Sequence, residues 1–237
     1  MGRLRVTKRF VTVTLEYFGQ FRSAGGNNAT LGHDVREDTV MGPELSPDGR
    51  TIATRRPFTG IRLWDTETGN SLGESLELGQ FVYRIRFSPD SSRVVALGGN
   101  AARVWDVETN EPLGAPFEKA TDIAFHPTQG LLAVSCEDGK LLLHDLDKGR
   151  LLAELPHARP LKAVQFDKQG TNLLTHDGEN AYLWLNVVND QRTQRVLAHD
   201  SRLSTASFGS HGGLLLTASP VSLRVWRIGD AAPLWER

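Results

Sequence analysis

The stretch FSPDSSRVVALGGNAARVWD (87–106) comes back four more times in altered form. LSPDGRTIATRRPFTGIRLWD precedes it from Leu45. FHPTQGLLAVSCEDGKLLLHD, FDKQGTNLLTHDGENAYLWL and FGSHGGLLLTASPVSLRVWR follow from Phe125, Phe166 and Phe208. Two anchors mark each unit. Leu45, Phe87, Phe125, Phe166 and Phe208 open a turn phrase, and Trp64, Trp105, His144, Trp184 and Trp226 follow about 18 residues later. Both series advance by about 40 residues, and a period shared by two independent series is a property of architecture. A chain built this way stacks copies of one supersecondary unit, and any chemistry is grafted onto that frame.

The unit reads as strands. VYRIRFS (82–88) and LKAVQFD (161–167) alternate apolar and polar residues, as a half-buried strand does. Ser46-Pro47-Asp48-Gly49 suits a type I turn, with proline presetting φ and glycine closing it. A second strand follows (RTIAT, RVVAL), then a third (IRLWD, ARVWD), then a polar turn (DTETGN, DVETNE, DLDKGR). SLGESL, PLGAPF and RLLAEL supply the fourth strand. No sustained helical period interrupts the pattern. A period near 40 with Trp64-Asp65, Trp105-Asp106 or His144-Asp145 near its end indicates four-stranded propeller blades. One such blade cannot cover both its faces, so neighbours must. Ile85, Phe87, Ile123, Phe125, Val164 and Phe166 are expected to fill the layers between blades.

On these residues, 38–237 resembles the WD-repeat β-propellers, and its FSPDG-type turns and PLG links are similar to the bacterial kind. The resemblance implies an all-β fold with five recognisable blades, about 38–79, 80–118, 119–157, 158–199 and 200–237, after an N-terminal segment 1–37. It also implies a hydrogen-bonded quartet in each blade: His before the first strand, Ser or Thr in the second, Asp in the following turn, and the Trp. His33, His157 and His199 suit the first place, Ser135, Thr175 and Thr217 the second, Asp138 and Asp177 the third. Blade four comes closest, with His157, Thr175, Asp177 and Trp184, so packing is expected to dominate. The family usually closes with about seven blades. Five units leave closure open, and uncovered end faces would favour self-association, a partner, or membership of a longer WD-repeat protein.

The bulk numbers bound the function. A net charge of −1 over 237 residues gives no field toward nucleic acid, despite Arg3, Arg5, Lys8, Arg9 and Arg22 near the N-terminus. The one cysteine, Cys136, excludes an internal disulfide and fits a reducing, cytoplasmic setting. No apolar run approaches the length of a membrane span. Thr12, Thr14 and Glu16 interrupt the N-terminal apolar run, so 11–18 reads as a strand rather than a signal peptide.

Catalytic patterns are poor. His33, His126, His144, His157, His176, His199 and His211 form no HxxxH or HExxH pair, and Cys136 has no partner cysteine, so no metal or cofactor is expected. SFGSHGG (207–213) is not GxSxG, and no phosphate-binding glycine loop exists. Binding is the better expectation. Arg55, Arg56 and Phe58, in the turn TRRPFTG (54–60), join cations to an aromatic. Phe81, Tyr83, Arg159 and Arg202, where first strands begin, belong to the same rim. Arginines and aromatics dominate interface hot spots. The expected function is a non-catalytic protein-interaction scaffold, regulatory or sensory. The alternative is a propeller-type hydrolase or lactonase, which would need carboxylates or histidines converging at the channel mouth.

Overall fold

The computed structural model describes residues 3–5, 14–16, 41–56, 60–189, 191–209 and 213–237. The described residues contain no helix, and so none long and apolar enough to cross a membrane. Five sheets of four strands each carry the repeats. The first holds β3 (Met41–Leu45), β4 (Thr51–Arg56), β5 (Gly60–Asp65) and β6 (Leu76–Glu77). The second holds β7 (Val82–Phe87), β8 (Arg93–Gly98), β9 (Ala101–Asp106) and β10 (Phe117–Glu118). The third holds β11 (Ala120–Phe125), β12 (Leu131–Cys136), β13 (Lys140–Asp145) and β14 (Arg150–Pro156). The fourth holds β15 (Ala163–Phe166), β16 (Leu173–His176), β17 (Ala181–Leu185) and β18 (Thr193–Leu197). The fifth holds β19 (Thr205–Phe208), β20 (Leu214–Ala218), β21 (Leu223–Arg227) and β22 (Trp235–Glu236). β1 (Arg3–Arg5) and β2 (Thr14–Glu16) pair separately as a two-stranded ribbon. The strand expected over 11–18 is thus described over its central part.

Local chemistry sets the hairpins. In the first turn Gly49 N–H donates to the Ser46 carbonyl at 2.9 Å, with Gly49 at φ 75°. The Ser46 hydroxyl donates to Asp48 at 2.6 Å and accepts from Thr51 N–H at 2.9 Å. Ser88 and Asp90 repeat the device. In the third unit His126 does this work: its Nδ1 accepts from Thr128 and Gln129 N–H, so its Nε2 donates to the Gly170 carbonyl at 3.0 Å. At the other end of the unit, Asp65, Asp106 and Asp145 cap the turn after the third strand. Each carboxylate accepts a backbone N–H, from Thr68, from Glu108 and Thr109, and from Lys148.

The fourth strands differ from expectation. In the first two sheets the PLG-type segment makes only the isolated bridges Trp64↔Ser71 and Trp105↔Pro112. Gly73 and Gly114, at φ 73° and 80°, then break the run. The fourth strand follows as two residues in each.

The chain divides into two compact units, Met1–Ala115 and Pro116–Arg237. In the first, Ala53, Ile61 and Leu63 of one sheet pack against Ile85, Phe87, Val94 and Trp105 of the next. In the second, Ala133, Leu141 and Leu143 meet Val164, Phe166, Leu173 and Trp184. Leu174, Ala181 and Leu183 of the fourth sheet meet Leu203, Leu215 and Trp226 of the fifth. Alternate residues of β16 and β17 therefore feed two different cores, as the period of two requires. Of the six residues expected in these layers, Phe125 alone is only half-buried. Cys136 is a free, buried thiol closing β12, whose six residues are all buried.

Polar networks do brace the blades, though not as complete quartets. Trp64 Nε1 donates to Thr54 at 2.7 Å, and Trp226 Nε1 to Thr217 at 2.7 Å. Trp184 Nε1 donates to His157 Nε2 at 3.2 Å, which also meets Thr175 at 3.0 Å. His199 Nε2 meets Thr217 at 2.5 Å. Asp177 instead accepts from the Tyr182 hydroxyl and from Glu179 and Asn180 N–H. Ser135 stands out of register: Val134 occupies the position of Thr175, and Ser135 bonds Thr121 and the Asp122 carbonyl. His33 lies outside the described residues. His144 replaces the aromatic anchor and meets the Phe117 ring edge at 5.1 Å.

Candidate functional site: the rim around Tyr83

β7 does not alternate strictly. Its pairing with β8 shifts between Val82↔Gly98 and Arg84↔Leu97, which leaves Tyr83 as the extra residue of a β-bulge. The bulge switches parity. Val82, Ile85 and Phe87 all turn into the core, and Tyr83 is extruded at 44% exposure with Phe81 at 50%. The Arg55 guanidinium crosses from β4 and donates through Nη1 to the Tyr83 carbonyl at 3.2 Å. Two glycines make room. A Cβ on Gly42 would lie 2.0 Å from Arg55 Nη2, and one on Gly98 would lie 2.1 Å from the Phe81 carbonyl oxygen. Burial raises the Tyr83 phenol above its ordinary 10.0, against the weaker pull of Arg84. It therefore acts as a neutral hydrogen-bonding aromatic.

The expected grouping of Arg55 with Arg56 is corrected. Thr54, Arg55 and Arg56 are not in a turn; they end β4, in register with Arg62, Ile61 and Gly60. Successive strand residues face opposite ways. Arg56 accordingly donates to Ser75 at 2.6 Å and lies 4.0 Å from Glu77. Phe58 lies outside the described residues. Arg159 and Arg202 are exposed residues of the second unit, where Arg159 is paired with Glu179. The structure thus brings Arg55 and Tyr83 together beside Phe81 and turns Arg56 away.

The first unit also carries an open cleft of ≈ 430 Å³ lined by Thr51, Leu72, Ser91, Asp106 and Asn110. Its Asp106 carboxylate belongs to a turn cap. Among the described residues no cluster of His, Cys, Asp and Glu is arranged to hold a metal. Burial, ahead of nearby carboxylates, raises the Cys136 thiol to about 11, so it stays protonated and unreactive. Sequence reasoning missed Thr54 and the bulge. Both left a trace: Thr54 precedes Trp64 by ten residues, one more than the nine between Thr175 and Trp184, and Val82 and Ile85 are apolar three apart.

A family model described as the Anaphase-promoting complex subunit 4 WD40 domain matches residues 85–169, from within β7 into the turn after β15. Over those residues the chain is similar to WD40 repeats. Target of rapamycin complex subunit wat1 of Schizosaccharomyces pombe is 25% identical over 175 residues, 71% of this chain and 56% of that protein. WD repeat-containing protein 1 of Mus musculus is 36% identical over 151 residues, 59% of this chain and 23% of that protein. Autophagy-related protein 16 of Arabidopsis thaliana is 26% identical over 148 residues, 59% of this chain and 29% of that protein. The chain therefore spans about half or less of the length of these relatives. All three are eukaryotic, and the bacterial affinity expected from the turn phrases finds no support in them.

Proposed function

We propose that this chain is a non-catalytic WD-repeat scaffold that holds a protein partner at the rim of Arg55, Phe81 and Tyr83. The observation that carries the reading is the bulge: it places an exposed aromatic at a set position and ties a cation to the same backbone. An anchor ordered before binding loses little conformational entropy on association. Relatives with names such as Target of rapamycin complex subunit support work within assemblies. The net charge of −1 favours a protein over nucleic acid. The unpaired Cys136 supports a reducing, cytoplasmic setting. A second reading, a segment of a longer WD-repeat protein with regulatory duties, draws support from the partial coverage of the relatives.

The test is affinity capture from the native cell with wild type, Arg55→Ala/Tyr83→Ala, and Arg150→Ala as an exposed control from β14. A partner recovered by wild type and control, and weakened about tenfold or more by the double variant, is the expected result. Equal recovery by all three clears the rim of any role.

A further inference from the structure

The second sheet carries cations where the later sheets carry neutral or bracing groups. Arg84 and Arg86 stand three and one residues before the Phe87 anchor. The same places before the later anchors hold Asp122 and Ala124, Ala163 and Gln165, and Thr205 and Ser207. Two of these brace the next sheet. The Asp122 carboxylate accepts from Val164 N–H at 3.0 Å, and Gln165 Oε1 from Phe208 N–H at 3.2 Å. Ile85 and Phe87 turn into the core, so Arg84 and Arg86 share the other side of β7, about 7 Å apart along the strand. Arg86 donates to the Ile85 carbonyl at 2.9 Å and lies 3.4 Å from Glu44, with its side chain 51% exposed. An ion pair so open to water contributes little and is readily exchanged. Burial, and after it the charge of Arg86, holds Arg84 below its ordinary value, yet a guanidinium stays cationic at neutral pH. Arg55 adds a third guanidinium peculiar to its sheet. By register its place is held elsewhere by Leu97, Ser135, His176 and Ala218. Gly42, having no side chain, lets Arg55 lie against β3, and Arg55 donates to the carbonyl of the peptide that joins Tyr83 to Arg84. Among the described residues Arg55 meets no carboxylate.

We propose that Arg55, Arg84 and Arg86 receive an acidic, extended segment of the protein partner whose carboxylates lie two residues apart. The inference rests on the rim proposed above and names the chemistry that rim selects. Alternate residues of an extended chain face one way at about 7 Å, which is the spacing of Arg84 and Arg86. A guanidinium takes a carboxylate through two parallel N–H bonds. Glu44 already brings a carboxylate to Arg86 from this side. Tyr83 and Phe81, exposed next to the arginines, receive an apolar neighbour of the acidic run. The chain as a whole carries a net charge of −1, so the attraction is local to this face. Two or three carboxylates need only that patch, whereas a nucleic acid strand brings many more phosphates than three arginines neutralise.

The experiment is fluorescence anisotropy with the full chain and labelled peptides of equal length: a Glu-Ala repeat, a Gln-Ala repeat, and a Glu-Glu-Ala-Ala repeat of the same charge. A labelled oligothymidylate is the competing polyanion. The Glu-Ala repeat is expected to bind about tenfold or more tighter than the Gln-Ala repeat, to exceed the Glu-Glu-Ala-Ala repeat, and to weaken as salt rises. Arg84→Gln and Arg86→Gln are each expected to weaken it about tenfold, Arg86→Lys to restore part of the loss, and Arg150→Ala to match wild type. If Arg84→Gln fails to fold, the exposed Arg86 variants carry the test. A Glu-Ala repeat bound no better than either other peptide overturns the proposal, as does indifference to Arg86→Gln or tighter binding of the oligothymidylate. Partner capture lost in Arg55→Ala/Tyr83→Ala, with no preference for the Glu-Ala repeat, keeps the rim and removes its acidic ligand. Capture unchanged in that variant, with the peptide preference intact, removes the rim and with it the partner assigned here.

Discussion

One nitrogen of His157 receives the Trp184 N–H and the Thr175 hydroxyl, so its proton sits on Nδ1, facing the Leu155 carbonyl at 3.2 Å. Protonating Nε2 would break the Trp184 contact and force the Thr175 hydroxyl to turn from donor to acceptor. Burial, ahead of the opposing pull of that carbonyl and Asp177, holds this imidazole below its ordinary 6.5. His126 is depressed for the same first reason, and its Nδ1 is occupied by two backbone donors. A histidine whose folded value is lowered binds its proton more readily in the unfolded chain. Its stabilisation is complete above about pH 6.5 and is lost as pH falls through the folded-state value. The urea midpoint of the second unit is expected to drop between pH 7.5 and 5.5, and His157→Gln to flatten that dependence. Chemical denaturation followed at the two pH values reads both. At this scale the sequence was half legible. Thr175, Thr217 and the tryptophans could be named from spacing, because hydroxyl and indole serve each other across one hairpin. Thr54 was hidden because TRRPFTG looked like a loop, and Ser135 was misassigned because neighbouring hydroxyls cannot be told apart without register.

Among the elements, β7 shows how one inserted residue turns a structural strand into a presenting one. Tyr83 is exposed because the bulge at Val82/Arg84 denies it a place in the alternation. Gly98 protects that geometry, since a Cβ there would lie 2.1 Å from the Phe81 carbonyl oxygen and 2.8 Å from the Val82 Cα. Gly98→Ala is expected to cost about 1–3 kcal/mol and to disturb the Tyr83 environment. A lowered urea midpoint, with altered near-ultraviolet circular dichroism, is the check. Gly60 meets the Leu76 carbonyl in the same way, so a small residue at the close approach is a shared device of these hairpins. Second and third strands were plain in the sequence, because burial on both faces demands continuous apolar runs such as Leu131–Cys136. Fourth strands were not. They lie at the sheet edge, where Gly73 and Gly114 decide their length and little apolar patterning is needed.

At the scale of the whole chain, the period announced five four-stranded sheets, and the described residues form five, beside the β1–β2 ribbon. A repeat advertises architecture well because every copy must solve the same burial problem. It advertises a binding site poorly, because the residues that depart from the repeat carry the site. Stability should be graded accordingly. The fourth sheet has both faces covered by neighbours, while in the fifth Leu216, Leu223 and Val225 are only half-buried and β21 is held by Arg224, which reaches Asp200, Glu236 and the Ala198 carbonyl. Native-state amide exchange at low protein concentration is expected to be faster in β20 and β21 than in β16 and β17. Equal protection would mean that the fifth sheet gains its stability elsewhere.

One last consequence belongs to Cys136. It is the single sulfhydryl of the chain, enclosed at the end of a strand with no exposed residue. An alkylating reagent can reach it only after the third blade has come apart. Nature has left one native chemical clock in the middle of the molecule, ticking at the rate of that opening and needing no engineered label.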